Sequence, residues 1–225
     1  MKAFACAGVV LSLFAAAATA GDGWQVLFDG KSLDGWRAYG GKGPIGEGWK
    51  VEDGVLKKLA GKKGGDIVTA AKYGDFELCW EWRVAPGGNN GVKYFVTEAR
   101  PGAPGHEYQM LDDRAEKWAK LQPKSLTASF YDVLPPAADK PLKPAGEWNE
   151  SKIVVKGMKV EHWLNGAKVL EYELGSEAVK AALAKSKFAK HPDFGTKIEG
   201  HIMLTDHNDE AWYRNIRVRV PGKAQ

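Results

Sequence analysis

The chain has 225 residues, 44% of them hydrophobic, with nine tryptophans, two cysteines and a formal net charge of +4 at pH 7. That positive surplus is small and spread along the chain, with no Lys/Arg cluster interleaved with aromatics, so the composition argues against nucleic acid as a partner. The length suits one domain with a sizeable core.

The N terminus reads as a processing signal. One Lys precedes an apolar run, and Ala18-Thr19-Ala20 before Gly21 has the small-x-small form of a cleavage site. The expectation is a signal peptide over residues 1–20, a mature domain over 21–225, and a periplasmic or secreted location. The run is too short and Ala-rich to span a bilayer, and no later stretch offers the roughly 20 apolar residues of a transmembrane helix. Cys6 precedes most of the run, which argues against a lipoprotein anchor. Its removal leaves Cys79 alone and hence no disulfide.

The dominant pattern is of period two. In residues 76–84 Phe76, Leu78, Trp80, Trp82 and Val84 alternate with Glu77, Cys79, Glu81 and Arg83, which predicts a strand with one face in the core. The stretch GVKYFV repeats the scheme, with Val92, Tyr94 and Val96 on one face and Lys93 and Phe95 on the other. In GHEYQMLDD, Tyr108 and Met110 read as anchors that aim Glu107 and Gln109 outward. Residues 134–148 are Pro-rich and fit a long ordered loop. Residues 151–174 read as a hairpin series, broken at Gly157 and again at Asn165-Gly166, a strong type I′ turn signal. Residues 176–190 are rich in helix formers, with Ser176 as N-cap, and predict a short helical excursion of structural role. Residues 200–206 and 212–220 supply two more strands. Together these elements predict an all-β antiparallel sandwich or jelly roll with one short helical insertion. For each Trp, core packing competes with a role as a stacking platform for sugar rings.

Eight segments in order then carry a family resemblance: VLFDGKSLDGW (26–36), WKVEDGVL (49–56), GDIVT…YGDFELCWEWR (65–83), GGNNGVKY (87–94), GHEYQMLDD (105–113), GEWN (146–149), WLNG (163–166) and HIMLTDHND…YRNIRV (201–218). The chain resembles the bacterial 3-keto-disaccharide or 3-keto-glycoside hydrolases over essentially the whole mature sequence. The resemblance implies a concanavalin A-like sandwich, action on glycosides already oxidised at C3 of the sugar, and dependence on a separate sugar 3-dehydrogenase. The chain departs from the family at Asn89-Asn90-Gly91 (usually Asn-Ser-Gly), at Leu204-Thr205-Asp206-His207-Asn208 (often Leu-Gln-Asp-His-Gly) and at Ala128-Ser129 (usually Gly-Ala), which bears on substrate preference.

Strand parity places Glu81, Arg83, Lys93, Glu107, Gln109, Tyr131, Thr205 and His207 on outward faces, where they can converge if one face holds ligand. A C3 ketone acidifies the C2 proton, so a positioned carboxylate or imidazole can remove it, and the enolate needs a nearby positive charge. Elimination at C1 and addition of water complete the reaction. Either Glu107 or His207 is the candidate base, the other being its partner or the acid to the leaving oxygen, with Lys93 and Arg83 stabilising the oxyanion. Glu81, Arg83, Asn90, Gln109, Tyr131 and Thr205 make up the candidate substrate-binding set. A divalent metal clamping the 3-keto and 2-hydroxyl oxygens would serve the same end, with no ligand set assigned. Asp206 and Asp112 have inward parity, where an unpaired carboxylate is costly, and rank second. Two rival readings stand beside this one. The first is a non-catalytic sugar-binding module. The second is a direct glycosidase of the glucanase type, for which Glu107-x-Gln109-x-x-Asp112 is a degraded carboxylate motif.

Overall fold

The computed structural model describes residues 19–20, 23–41, 43–191 and 193–222. Apart from Thr19 and Ala20, the expected signal peptide lies outside the described residues. The strands are, in chain order, β1 Thr19–Ala20, β2 Trp24–Val26, β3 Trp36–Ala38, β4 Trp49–Glu52, β5 Val55–Lys58, β6 Ile67–Thr69, β7 Phe76–Val84, β8 Asn89–Val96, β9 His106–Leu111, β10 Asn149–Lys156, β11 Lys159–Leu164, β12 Ala167–Glu173, β13 His201–Leu204 and β14 Ala211–Arg219. They form two antiparallel sheets. The larger has nine strands, in the order β1-β2-β14-β7-β10-β11-β12, with β4 and β5 joined to it through β14. The smaller runs β3-β6-β13-β8-β9. No helix among the described residues is long and apolar enough to cross a membrane.

The core lies between the sheets, and the period-two residues fill it. Phe76, Leu78, Trp80, Trp82 and Val84 of β7 are all buried. Across the interface the Trp80 and Tyr108 rings meet edge to face at 5.0 Å, a favoured aromatic geometry. Ser151 Oγ joins the sheets by bonding Tyr108 Oη at 2.8 Å and accepting Trp82 Nε1–H at 2.8 Å. Trp36, Trp49, Trp80 and Trp82 are buried in this core, so the tryptophans divide between packing and surface.

The predicted hairpins form as expected. β10, β11 and β12 pair in sequence, and Asn165 and Gly166 both have positive φ (45° and 83°), which the type I′ turn requires. The helix spans Glu177–Ala184, with Ser176 Oγ accepting Val179 N–H at 3.3 Å. It stops before the predicted end because the Ser186 hydroxyl donates to the Leu183 carbonyl at 2.8 Å, a local bond that competes with the helix ladder. Phe188 then turns inward to stack on Phe194 at 4.1 Å.

Two parity expectations are overturned, those for Thr205, which is buried against Asn90, and for Phe95. Phe95, assigned to the outer face with Lys93, enters the main core, while Val96 packs in a small separate cluster with Val68 and Met203. The reason is a β-bulge. Val96 is paired with His201 and Lys93 with Met203, so Tyr94 and Phe95 together oppose Ile202, and Phe95 has φ 52°. An extra residue in one strand flips the alternation beyond it.

Candidate functional site

β8 and β9 lie side by side, with Lys93 opposite Glu107 and Gly91 opposite Gln109. Period two then puts Asn89, Gly91, Lys93, Glu107 and Gln109 on the outer face of the five-stranded sheet. The Glu107 side chain is only 6% exposed, and its carboxylate lies over Gly91, where an added Cβ would stand 2.3 Å from Oε1. Glycine at 91 is therefore what makes room for the acid. The segment after Thr127 extends the sheet past β9: Ala128 N–H donates to the Gln109 carbonyl at 2.8 Å and Tyr131 N–H to the Glu107 carbonyl at 3.0 Å. Ala128 holds this line at φ 66°, a conformation that is strained for a residue with a Cβ.

Two lysines and a histidine surround the Glu107 carboxylate. His207 Nε2 is 3.6 Å from Oε1, and Lys93 Nζ is 3.8 Å from Oε2. Lys187 arrives from the turn after the helix, its backbone N–H held by Asp132 Oδ2 at 2.7 Å and its ammonium 4.2 Å from the centre of the Tyr131 ring. These are contacts of charge at a distance rather than hydrogen bonds, and among the described residues Glu107 Oε1 is a buried acceptor with no hydrogen-bond partner. Burial pushes the Glu107 carboxyl up, but Lys93, His207 and Lys187 outweigh it and hold the group below the ordinary glutamate range. Burial lowers the Lys187 ammonium, against the pull of Glu107 and Asp132. The Tyr131 phenol is raised by burial and by Glu107. Glu107 is thus an ionised carboxylate with an open lone pair, flanked by Lys93, Lys187 and His207.

His207 is positioned by the residue before it. Asp206 Oδ1 meets the fully buried Lys58 ammonium at 2.8 Å, and Oδ2 accepts the Gly64 and Gly65 N–H groups at 2.7 and 2.8 Å. Asp206 also accepts Asn208 N–H at 2.9 Å, so the turn that presents His207 is anchored from both sides. Inward parity thus makes Asp206 a structural anchor. Asp112 is also structural, since its Oδ2 accepts Gly87 N–H at 2.8 Å. The glucanase-like motif therefore does not assemble from β9, with Gln109 in its middle position and Asp112 turned to a backbone amide.

The structure gathers Glu107, His207, Lys93, Gln109 and Tyr131, and separates the other candidates from them. Asn90 faces the core, and its Oδ1 accepts from Gly91 N–H, Thr205 Oγ1 and Tyr213 Oη at 2.8–2.9 Å. Asn90 and Thr205 are therefore removed from the substrate-binding set, because both side chains are buried and bonded to each other inside the protein. Asn89 takes the outward place, accepting Gln109 Nε2–H at 3.3 Å. Glu81 and Arg83 lie on β7, in the other sheet. There Glu81 is bound by Arg214 at 2.6 and 2.8 Å, and Arg83 sits against Trp148 and Trp212 at 5.0 and 4.6 Å. Arg83 is thus not available to an oxyanion at Glu107.

Three residues of the site, Asn89, Gly91 and Lys187, were missed from sequence. For Asn89 and Gly91 the signal was present, since inward Val92 and Tyr94 fix both as outward. Lys187 carried only its position beside Phe188. Among the described residues no group of three or more His, Cys, Asp or Glu side chains is arranged to hold a metal ion.

Residues 23–219 match the family model of the 3-keto-alpha-glucoside-1,2-lyase-like domain. The chain belongs to this family. The matched region runs through β2 to β14 and includes every residue of the site. A 3-keto-disaccharide hydrolase from Bacteroides thetaiotaomicron is 37% identical, covering 88% of this chain and 79% of its own length. Two crystal structures of Parabacteroides distasonis proteins assigned as glycosyl hydrolases are also similar. The first is 34% identical with a TM-score of 0.78, covering 88% of this chain and 93% of its own. The second is 28% identical with a TM-score of 0.69, covering 88% and 98%. Family membership and the hydrolase relative make this 3-keto-alpha-glucoside-1,2-lyase-like protein a hydrolytic enzyme of the glycoside hydrolase type, which sets aside the non-catalytic module.

Proposed function

We propose that the enzyme cleaves 3-keto-glycosides, 3-keto-disaccharides or 3-keto-glucosides, by removing the C2 proton, expelling the C1 substituent and adding water across the resulting double bond. The observation that carries this reading is the buried Glu107 carboxylate, with Oε1 unpartnered and Lys93, His207 and Lys187 around it. Glu107 accepts the C2 proton through that open lone pair. As it does so, negative charge leaves the carboxylate and appears on the C3 oxygen of the substrate. Lys93 and Lys187, which offset the first charge, are already placed to offset the second, so the step needs little reorganisation. His207, which is exposed at the edge of the site, gives a proton to the departing C1 oxygen. The water that adds to the double bond supplies a hydroxyl to C1 and a proton to C2, and transfer of the proton held by Glu107 to His207 through solvent restores both groups. Gln109, Asn89 and Tyr131 bind sugar hydroxyls.

The N-terminal sequence supports export through a cleaved signal peptide, with action in the periplasm or outside the cell. The 3-keto substrate must come from an enzyme that oxidises the C3 hydroxyl, which makes a sugar 3-dehydrogenase the functional partner. Incubation of purified protein with a 3-keto-glucoside and with its unoxidised parent, each with and without chelator, tests this reading. Cleavage of the ketone alone is expected. Cleavage of the parent at an equal rate would rule the elimination route out.

A further inference from the structure

The outer face of the nine-stranded sheet carries a second, unrelated arrangement. Trp24, Trp148, Trp163 and Trp212 are half-buried there, each with a cation on its ring. Arg217 and Arg219 lie 5.2 and 4.9 Å from Trp24, Lys152 lies 4.2 Å from Trp163, Arg83 lies 5.0 and 4.6 Å from Trp148 and Trp212, and Arg214 lies 4.1 Å from Trp148. Between Trp24 and Trp163 the surface sinks into an open groove of about 350 Å³. Its floor is one register row, in which Arg217 pairs with Cys79, Cys79 with Lys152, and Lys152 with Trp163. Cys79 is the small side chain that gives the groove its depth.

Charge in this groove is unevenly satisfied. Arg219 is paired with Glu77 at 2.8 Å. Arg217 and Lys152 have no carboxylate in ion-pair range among the described residues, and they rest on indole rings instead. A cation held by a ring face keeps its N–H donors for another partner. Glu150, exposed at the edge, leaves the groove with three cations against two carboxylates. The Trp163 ring is also fixed in advance, because its N–H donates to Glu161 Oε2 at 2.8 Å; such preorganisation lowers the ordering cost of binding. From β2 to β11 is four inter-strand steps, about 19 Å, longer than a single sugar ring reaches.

We propose that this groove binds a short acidic oligosaccharide, with the apolar faces of its rings against Trp24 and Trp163 and its carboxylates on Arg217 and Lys152. The site is separate from Glu107, on the opposite face of the sandwich, and would hold the enzyme on a uronate-bearing glycan while the other face works. Calorimetric titration of the full protein with tri-galacturonate, maltotriose and sodium sulfate tests it. Tri-galacturonate is expected to bind at one site per chain. The double variant Arg217→Ala/Lys152→Ala and the single variant Trp163→Ala should each weaken that binding at least tenfold without lowering the thermal midpoint of the free protein by more than a few degrees. Glu107→Gln should bind as the parent does. Equal binding of maltotriose, displacement by equimolar sulfate, loss of binding in Glu107→Gln, full affinity in the double variant, or no binding of tri-galacturonate would each overturn the proposal.

Discussion

On the outer face of the five-stranded sheet Glu107 faces His207 and Lys93 at 3.6 and 3.8 Å, whereas on the outer face of the nine-stranded sheet Glu81 receives Arg214 at 2.6 and 2.8 Å. Both carboxyls are held below the ordinary range against the effect of burial. Glu81 is held down by hydrogen bonds from Asn215 and Arg214, Glu107 first by the charge of Lys93 and then by the neighbouring His207. The first arrangement uses up the lone pairs and the second leaves one open. Residue type therefore does not separate a structural carboxylate such as Glu81 from Glu107, the base we propose; what separates them is burial combined with an unfilled hydrogen-bonding position.

The sharpest way to break the comparison is to neutralise both acids. Glu107→Gln is expected to lower kcat/KM roughly a thousandfold, the range of a lost general base, while Glu81→Gln changes it less than twofold; steady-state kinetics on a 3-keto-glucoside decides. Next in size is Asp206→Asn, which strands the buried Lys58 ammonium and is expected to destabilise the fold by roughly 3–5 kcal/mol, measured as a shift in the urea midpoint. A loss below 1 kcal/mol would mean that the anchor under His207 is slack.

A third test concerns the layer between the faces. His106 and His162 are buried there, and burial pushes their imidazoles down to about 3 and about 4. His162 Nδ1–H donates to the carbonyl of Ala128 at 2.9 Å, behind the line that extends β9. Folded values below the unfolded value of about 6.5 mean that the unfolded chain binds more protons, so stability falls as pH drops from about 6.5 toward 4. Urea midpoints at pH 7 and pH 4.5 should differ accordingly, and equal midpoints would contradict the assignment. The smallest effect belongs to Arg83→Ala, which removes a cation from two Trp rings. It should cost about 1 kcal/mol in thermal unfolding and leave hydrolysis unchanged.

Much of this contrast could be read locally, and the part that could not is non-local. The alternation of β7, the Asn165-Gly166 turn and the Ser176 cap each rest on neighbours in the chain, and each appears as expected. The assignment of Glu81 to the sheet opposite Glu107 depends on β14, whose Arg214 is 133 residues away; no local period encodes which strands share a sheet. Phe95 shows the same limit at shorter range, because its bulge is imposed by the register of β13. Lys187 reaches Tyr131 only because Phe188 must enter the core, a packing demand that periodicity does not express.

The central claim is that Glu107 takes the C2 proton, and the hydrogen at C2 of the product tests it most directly. Reaction in D₂O, sampled early and corrected with an enzyme-free control, should give a 3-keto sugar carrying one deuterium at C2, and Glu107→Gln should form product and label roughly a thousandfold more slowly. Product that retains its original C2 hydrogen would contradict the elimination route and return the face of Glu107 to the status of an ordinary charged surface.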